Sequence, residues 1–322
     1  MAANPKPPVG PGYGRERYHE YHAEAHVLSG NLKHPIDQPI EHQAHVVLQK
    51  TRDDGHITQS AKETTLEGLI SFKAGHSRAS GNKIVKKDLW GKDHSGWVTL
   101  STSVLEGLNV FEVITADRVV AQVSTEHAME HGHVPKVTFL GTRFENLRVG
   151  GYPVQVELDL EICGDKPKGD QPYLQDSRFL DRVRRQLDSI FRAKGLPEAL
   201  EQEYDSKIAR IDDLKKRSKK ERNGHSKLQC SLVKSIGPIP IPGVKTFGNI
   251  IFIPDFGTVS LAQVDVGTSA SEDGFSDNSG SSLPQASDSN YFTLNMLNMH
   301  LGCIGGGTII GGSATANGHT KP

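Results

Sequence analysis

The chain has 322 residues, a formal net charge of −1, 35% apolar residues and 33 glycines. That length can bury a sizeable core in one or two domains. A balanced charge supplies no global field for nucleic acid or an anionic membrane. Apolar runs such as Ile250–Ile253 stop far short of the ~20 residues of a transmembrane helix.

Residues 1–17 are dense in proline and glycine, which predicts a disordered arm. They contain no apolar h-region, so no secretory signal is expected, and cytoplasmic synthesis is the default with a signal-less export route left open. Residues 18–164 form the first part of an expected β domain. The segments AEAHVLSGNL, QAHVVLQKT, HITQSAKETTLEGLISFKAG and WVTLSTSVLEG each end at turn-forming residues such as Asp53-Asp54-Gly55. From Glu106 to Glu161, two long runs rich in Val, Ile, Thr and Phe alternate apolar with polar residues. Period-two alternation sets one face against a core and the other in solvent, the mark of antiparallel β structure. A break of Glu, His, Gly and Pro separates the runs, and Gly150-Gly151 predicts a tight turn inside the second. Leu66-Glu67-Gly68-Leu69 with Phe72 is echoed by Leu105-Glu106-Gly107-Leu108 with Phe111, which predicts similar hairpin geometry at both.

After a Lys/Pro/Gly/Asp linker at 165–170, the period changes. Leu174, Phe179, Leu180, Val183, Leu187, Ile190 and Phe191 recur at steps of three and four, the spacing of an amphipathic helix. Asp176 or Ser177 suits its cap, and Gly195-Leu196-Pro197 suits its end. A second helix follows with Leu200, Tyr204, Ile208, Ile211 and Leu214 on one side, so residues 173–222 form a helical hairpin insertion. The expectation is an excursion whose ends, near Cys163 and Lys227, lie close together. Strand patterns return over 226–267 and 290–318, with a Ser/Asp/Gly-rich flexible linker at 268–289. The fold class expected is mainly β, an antiparallel β-sandwich or barrel interrupted by a helical hairpin.

Four strand-and-turn pieces resemble bacterial surface-type modules of the choice-of-anchor P kind: Ile114–Ala121, Gly141–Gly151, Pro254–Leu261 and Ile309–Ala314, in the same order. The resemblance implies a β-rich surface module and brings no catalytic residues.

Fifteen histidines concentrate ligand chemistry in two places. His127, His131 and His133, flanked by Glu126 and Glu130, offer imidazole and carboxylate donors suited to Zn²⁺ and related ions. The same stretch equally reads as an exposed polar hairpin tip. In Tyr18–His26, a strand sets His22, Glu24 and His26 on one face, too spread along the strand for a single ion. Gly75-His76-Ser77-Arg78-Ala79 lacks the final glycine of a nucleophile elbow, and the glycines after Cys303 do not form a dinucleotide fingerprint. Cys163, Cys230 and Cys303 are an odd set without CxxC spacing, which fits a reducing compartment. The run 215–220 reads as a solvated basic helix end, which weighs against nucleic acid as a partner. Trp90 and Trp97 are candidate stacking platforms for a carbohydrate ligand, or core residues.

The leading expectation is therefore a non-catalytic β-rich structural or interaction protein, self-associating through strand edges or the helical hairpin, with a protein partner or a second copy. No cofactor is expected under it. The alternative is a metal-dependent enzyme or metal-binding protein using His127, His131 and His133 with a divalent ion.

Overall fold

The structure, a computed structural model, describes residues 18–34, 37–87, 93–129, 134–168, 171–216, 226–269, 289–302 and 306–321. The expected arm at 1–17 and nearly all of the linker at 268–289 lie outside these residues. The chain is mainly β, 59% strand and 15% helical, and the described residues form antiparallel sheets with two helices and no closed barrel.

The first strands are β1 (Tyr18–Leu32), β2 (Gln38–Gln43), β3 (Val46–Thr51), β4 (Gly55–Ala61), β5 (Thr64–Leu66), β6 (Ile70–Phe72) and β7 (Ala74–Lys87). Two long strands follow, β8 (Asp93–Val110) and β9 (Ile114–Ala128). Then come short pieces: β10 (Lys136–Thr138), β11 (Arg143–Glu145), β12 (Arg148–Val149), β13 (Tyr152–Pro153) and β14 (Val156–Leu158). After the helices α1 (Ser177–Phe191) and α2 (Glu198–Lys216) the strands resume as β15 (Ser226–Ser231), β16 (Val233–Ile236), β17 (Lys245–Phe247) and β18 (Ile250–Ile253). The last are β19 (Gly257–Ser269), β20 (Ser289–Leu301) and β21 (Gly307–Lys321).

One sheet runs β17-β18-β19-β20-β21-β1-β2, with β15 added to β19 and β3 to β1. The other runs β13-β12-β9-β8-β6-β5, with β10 and β11 on β9, β7 on β8 and β4 on β7. β14 and β16 make a separate pair. The sheets face each other with β1 over β7 and β8, and β21 over β8 and β9. Val27, Leu105, Val119, Leu297 and Met296 fill the space between, which buries the apolar half of each alternating strand. Toward one end the layer becomes small and hydroxylic: Ser77, Ser80, Thr99, Ser101, Ser103 and Thr125 are all buried. There the sheets approach closely. A Cβ on Gly81 would stand 2.3 Å from the Tyr21 ring, and one on Gly75 2.6 Å from a Val27 methyl. Ser101 Oγ donates to the Glu24 carbonyl at 2.6 Å and Ser103 Oγ to the His26 carbonyl at 2.8 Å, fastening β1 to β8.

The Gly150-Gly151 turn is present, with both residues at positive φ (52° and 83°) between β12 and β13. The second alternating run is cut into β10 to β14, because Gly141 (φ 92°), Asn146 (φ 50°) and the Gly pair turn the chain before a long strand can form. The echoed Leu-Glu-Gly-Leu segments do not share a shape. Glu67 and Gly68 (φ 51° and 70°) close the β5–β6 hairpin. Gly107 (φ 63°) only interrupts β8, which stays paired with β9 on both sides of it.

Asp176 caps α1, its carboxylate accepting from the Arg178 N–H at 3.3 Å. α2 begins right after Pro197, a residue tolerated only at or before a helix's first turn. The pair is not a detached excursion. Phe179, Leu180, Val183, Leu187 and Ile190 belong to the same apolar cluster as the strands. Tyr173 meets both Phe179 and Phe292 edge-on, at 5.7 and 5.2 Å between centroids. A stripe wide enough for one helical partner also fits a sheet face, and here it covers one. The strands flanking the insertion pair with each other, β14 with β16, and the Asp159 N–H donates to the Leu232 carbonyl at 2.6 Å.

Candidate functional sites: an open edge and a histidine cluster

The strand edges of this fold are protected in several ways. β2 carries Pro39 and Glu41, β13 carries Pro153, and β5, β10, β11 and β17 are three residues long. On β15, the Gln186 amide accepts from the Ser231 N–H at 2.9 Å and donates to the Ser231 carbonyl at 2.8 Å, standing in for a neighbouring strand. Prolines, brevity, charge and cover are the usual defences of edges.

β4 has none of them. Its sequence Gly-His-Ile-Thr-Gln-Ser-Ala contains no acidic or basic residue apart from His56, and no proline. It pairs with β7 without a bulge, from Gly55 opposite Gly81 to Ala61 opposite Gly75. Residues 56–60 are exposed on both faces, and Ile57 is 41% exposed. Among the described residues β7 alone pairs with it. The strand is held in place at its entry: Asp54 Oδ1 accepts from the Lys83 N–H and from the Tyr21 hydroxyl, both at 2.9 Å. Burial of the ring, reinforced by that carboxylate, pushes the Tyr21 phenol far up.

The second feature lies along β1. β2 and β3 pair with β1 in one register on either side of a corner, Gln43 opposite Leu28 and Val46 opposite Ala25. At the corner Ala44 adopts φ 47°, and the ladder opens at Ala44 and His45. This corner turns His42 and His45 toward the face of β1 that carries Glu24 and His26. His45 Nε2 and Glu24 Oε1 are 2.9 Å apart. The His42 ring stacks on His26 at 4.3 Å and stands edge-on to His45 at 4.9 Å. One ligand atom from each of Glu24, His42 and His45 lies within 4.8 Å of the others. His26 forms the floor. It is 8% exposed, and its Nε2 is 2.9 Å from Ser29 Oγ. Burial, helped by the neighbouring His42 and His45, lowers its pKa to about 3 and holds it neutral.

Of the residues singled out from sequence, His127 is not on an exposed tip. It sits within β9 with 0% exposure, its ring 4.6 Å from His19, because the strand runs on to Ala128. Glu130, His131 and His133 lie outside the described residues, as do Trp90 and Cys303. The β1 reading holds: His22 and Glu24 share a half-buried face, with His26 next along it. What was missed is the partner His42-Gln43-Ala44-His45, whose signal is a slip in the alternation between Ile40 and Val46. Trp97 is 6% exposed and stacked on His19 at 5.3 Å, so that face is already occupied. It lines a cleft of about 390 Å³ with Tyr18, Arg52, Asp54 and Lys83. Ser77 is buried mid-strand in β7, which removes the nucleophile-elbow geometry.

Among the described residues, the fold and these features define a β protein of two facing sheets and a small separate pair, with an open β4 edge and a histidine-rich corner. The chain belongs to the family described as Domain of unknown function (DUF8256), whose model matches residues 19–267. No curated protein and no solved structure matches it. The matched span holds both features, while β20 and β21, which join β19 to β1 in the first sheet, follow it.

Proposed function

We propose that this protein is a non-catalytic interaction protein that joins a second copy of itself by antiparallel pairing of β4 strands. The observation that carries this reading is the open, uncharged, bulge-free β4 edge, set against the prolines of β2 and β13 and the Gln186 cover on β15. Pairing about a two-fold at Thr58 sets Ile57 opposite Gln59 of the second copy and His56 opposite Ser60. No like charges meet, and such cross-strand pairs add to the backbone ladder. A two-fold contact of this kind is self-complementary and closes. The resemblance to surface-type β modules supports the same class of role.

Light scattering coupled to size exclusion tests the reading. The wild type should run as a concentration-dependent dimer. The double variant Ile57→Lys with Gln59→Lys, which places lysines opposite each other across the two-fold, should run as a monomer with an unchanged circular dichroism spectrum. Thr58→Cys should cross-link the wild-type dimer on mild oxidation, since directly opposed residues lie within disulfide reach. A wild type that stays monomeric at high micromolar concentration, or a double variant that dimerises equally well, refutes it.

A further inference from the structure

We infer that Glu24, His42 and His45 form a binding site for a divalent first-row transition ion, with Zn²⁺ as the reference metal. This is independent of the β4 edge and uses none of the residues in the His127 region. The donors are two imidazoles and one carboxylate, the set that holds zinc with a fourth position left to water. The same set placed on one face also suits Fe²⁺ and Mn²⁺.

The three donor atoms lie within 4.8 Å of one another. An ion with arms of about 2.0–2.2 Å wants them roughly 3.3 Å apart. His45 and Glu24 already meet at 2.9 Å, so the adjustment falls mainly on His42. Glu24 and His45 side chains are about one-third exposed, 34% and 35%, and His42 is exposed. Rotation of half-free side chains therefore suffices, with no backbone shift.

The backbone beneath is fixed. The Glu24 and His26 carbonyls are bound by Ser101 and Ser103 of the facing sheet. His26 supplies a second, independent pointer to a ligand. It is more than nine-tenths buried, it touches His42, and its Nδ1 has no hydrogen-bond partner among the described residues. A buried imidazole nitrogen left without a partner is costly, and a metal-bound water beside the cluster would satisfy it. His26 is thus a positioning residue that orients the His42 ring.

Calorimetry with tag-free protein stripped by chelator and titrated with ZnCl₂ tests the site. About one equivalent should bind with a dissociation constant below roughly 10 μM, as expected for three ordered donors. His42→Ala with His45→Ala should weaken binding at least about 100-fold, and Glu24→Gln at least about tenfold. The variants' melting temperatures in chelator should stay close to wild type, because the side chains removed are exposed or half-buried. Loading with Co²⁺ should give the visible absorption of a nitrogen- and oxygen-ligated ion, absent in the double variant. His131→Ala with His133→Ala should bind as wild type does. The inference is overturned if the wild type takes up no Zn²⁺, if the His42/His45 variant binds unchanged, or if binding is lost only in the His131/His133 variant.

Discussion

If the helical pair is part of the β core and not an appendage, truncating its central aromatic should destabilise the whole chain. Phe179 has 0% exposure, and its ring meets Tyr173 edge-on at 5.7 Å, which in turn meets Phe292 of β20 at 5.2 Å. Phe179→Ala removes that contact and leaves a cavity between helix and sheet, a change that costs about 3–5 kcal/mol in well-packed cores. For a chain of this size that corresponds to a fall in Tm of about 4–7 °C. Thermal and urea unfolding would be followed by far-UV circular dichroism for the helices and by tryptophan fluorescence for the sheets, where Trp97 is buried. Coincident transitions, shifted together, are the expected result. A variant that loses helical signal while fluorescence unfolds at the wild-type midpoint would show that the helices are energetically separate and refute the single core.

Two further outcomes follow from the packing. Gly81→Ala drives a Cβ into the Tyr21 ring and should cost about 1–3 kcal/mol, whereas Gly55→Ala, opposite it on β4 with nothing within 4 Å, should be neutral within about 0.5 kcal/mol; equal effects at both sites would discredit the close approach of the sheets. Cys163 and Cys230 are buried free thiols, and burial pushes the Cys163 thiol up to about 12, so near pH 8 only about one molecule in ten thousand carries its thiolate. Peptide mapping after mild alkylation should find both unmodified until denaturant is added, and rapid labelling of either in the native protein would contradict their burial.

Much of this architecture is written in local periodicity. β9 buries Val119, Ala121, Val123, Thr125 and His127 on one face, with the residues between them, Val120 apart, only half-buried, and α1 buries Phe179, Leu180, Val183, Leu187 and Ile190 at helical spacing. These signals survive because burial of one face acts on every residue of an element. Which sheet a strand joins is a different matter. β3 and β4 are separated only by Arg52-Asp53-Asp54, yet β3 pairs with β1 and β4 with β7 in the opposite sheet. Nothing in either strand's own alternation records that crossing, since it depends on partners far away in the chain. The paired Leu-Glu-Gly-Leu segments teach the same lesson: identical residues turn in one place and run straight in the other, where β8 has a strand on each side.

The candidate sites were hidden for related reasons. A histidine cluster in sequence is a statement about neighbours along the chain, and β1 spreads His22 and His26 too far for one ion. The cluster that does form needs two strands in register, a corner at Ala44 with positive φ, and a floor supplied by His26. Its sequence trace is one break in an alternating pattern, which any loop would also produce. The β4 edge is fainter still, because what marks it is the lack of a charge, a proline or a bulge where neighbouring edges have one. An undefended edge has meaning only once the defended ones are known. Gln186 shows how directly the fold treats this problem, its amide closing the end of β15 as another strand would. The same chain that spends a helix side chain on the β15 edge pairs β4 only with β7 among the described residues, and that contrast is what the proposed self-pairing rests on.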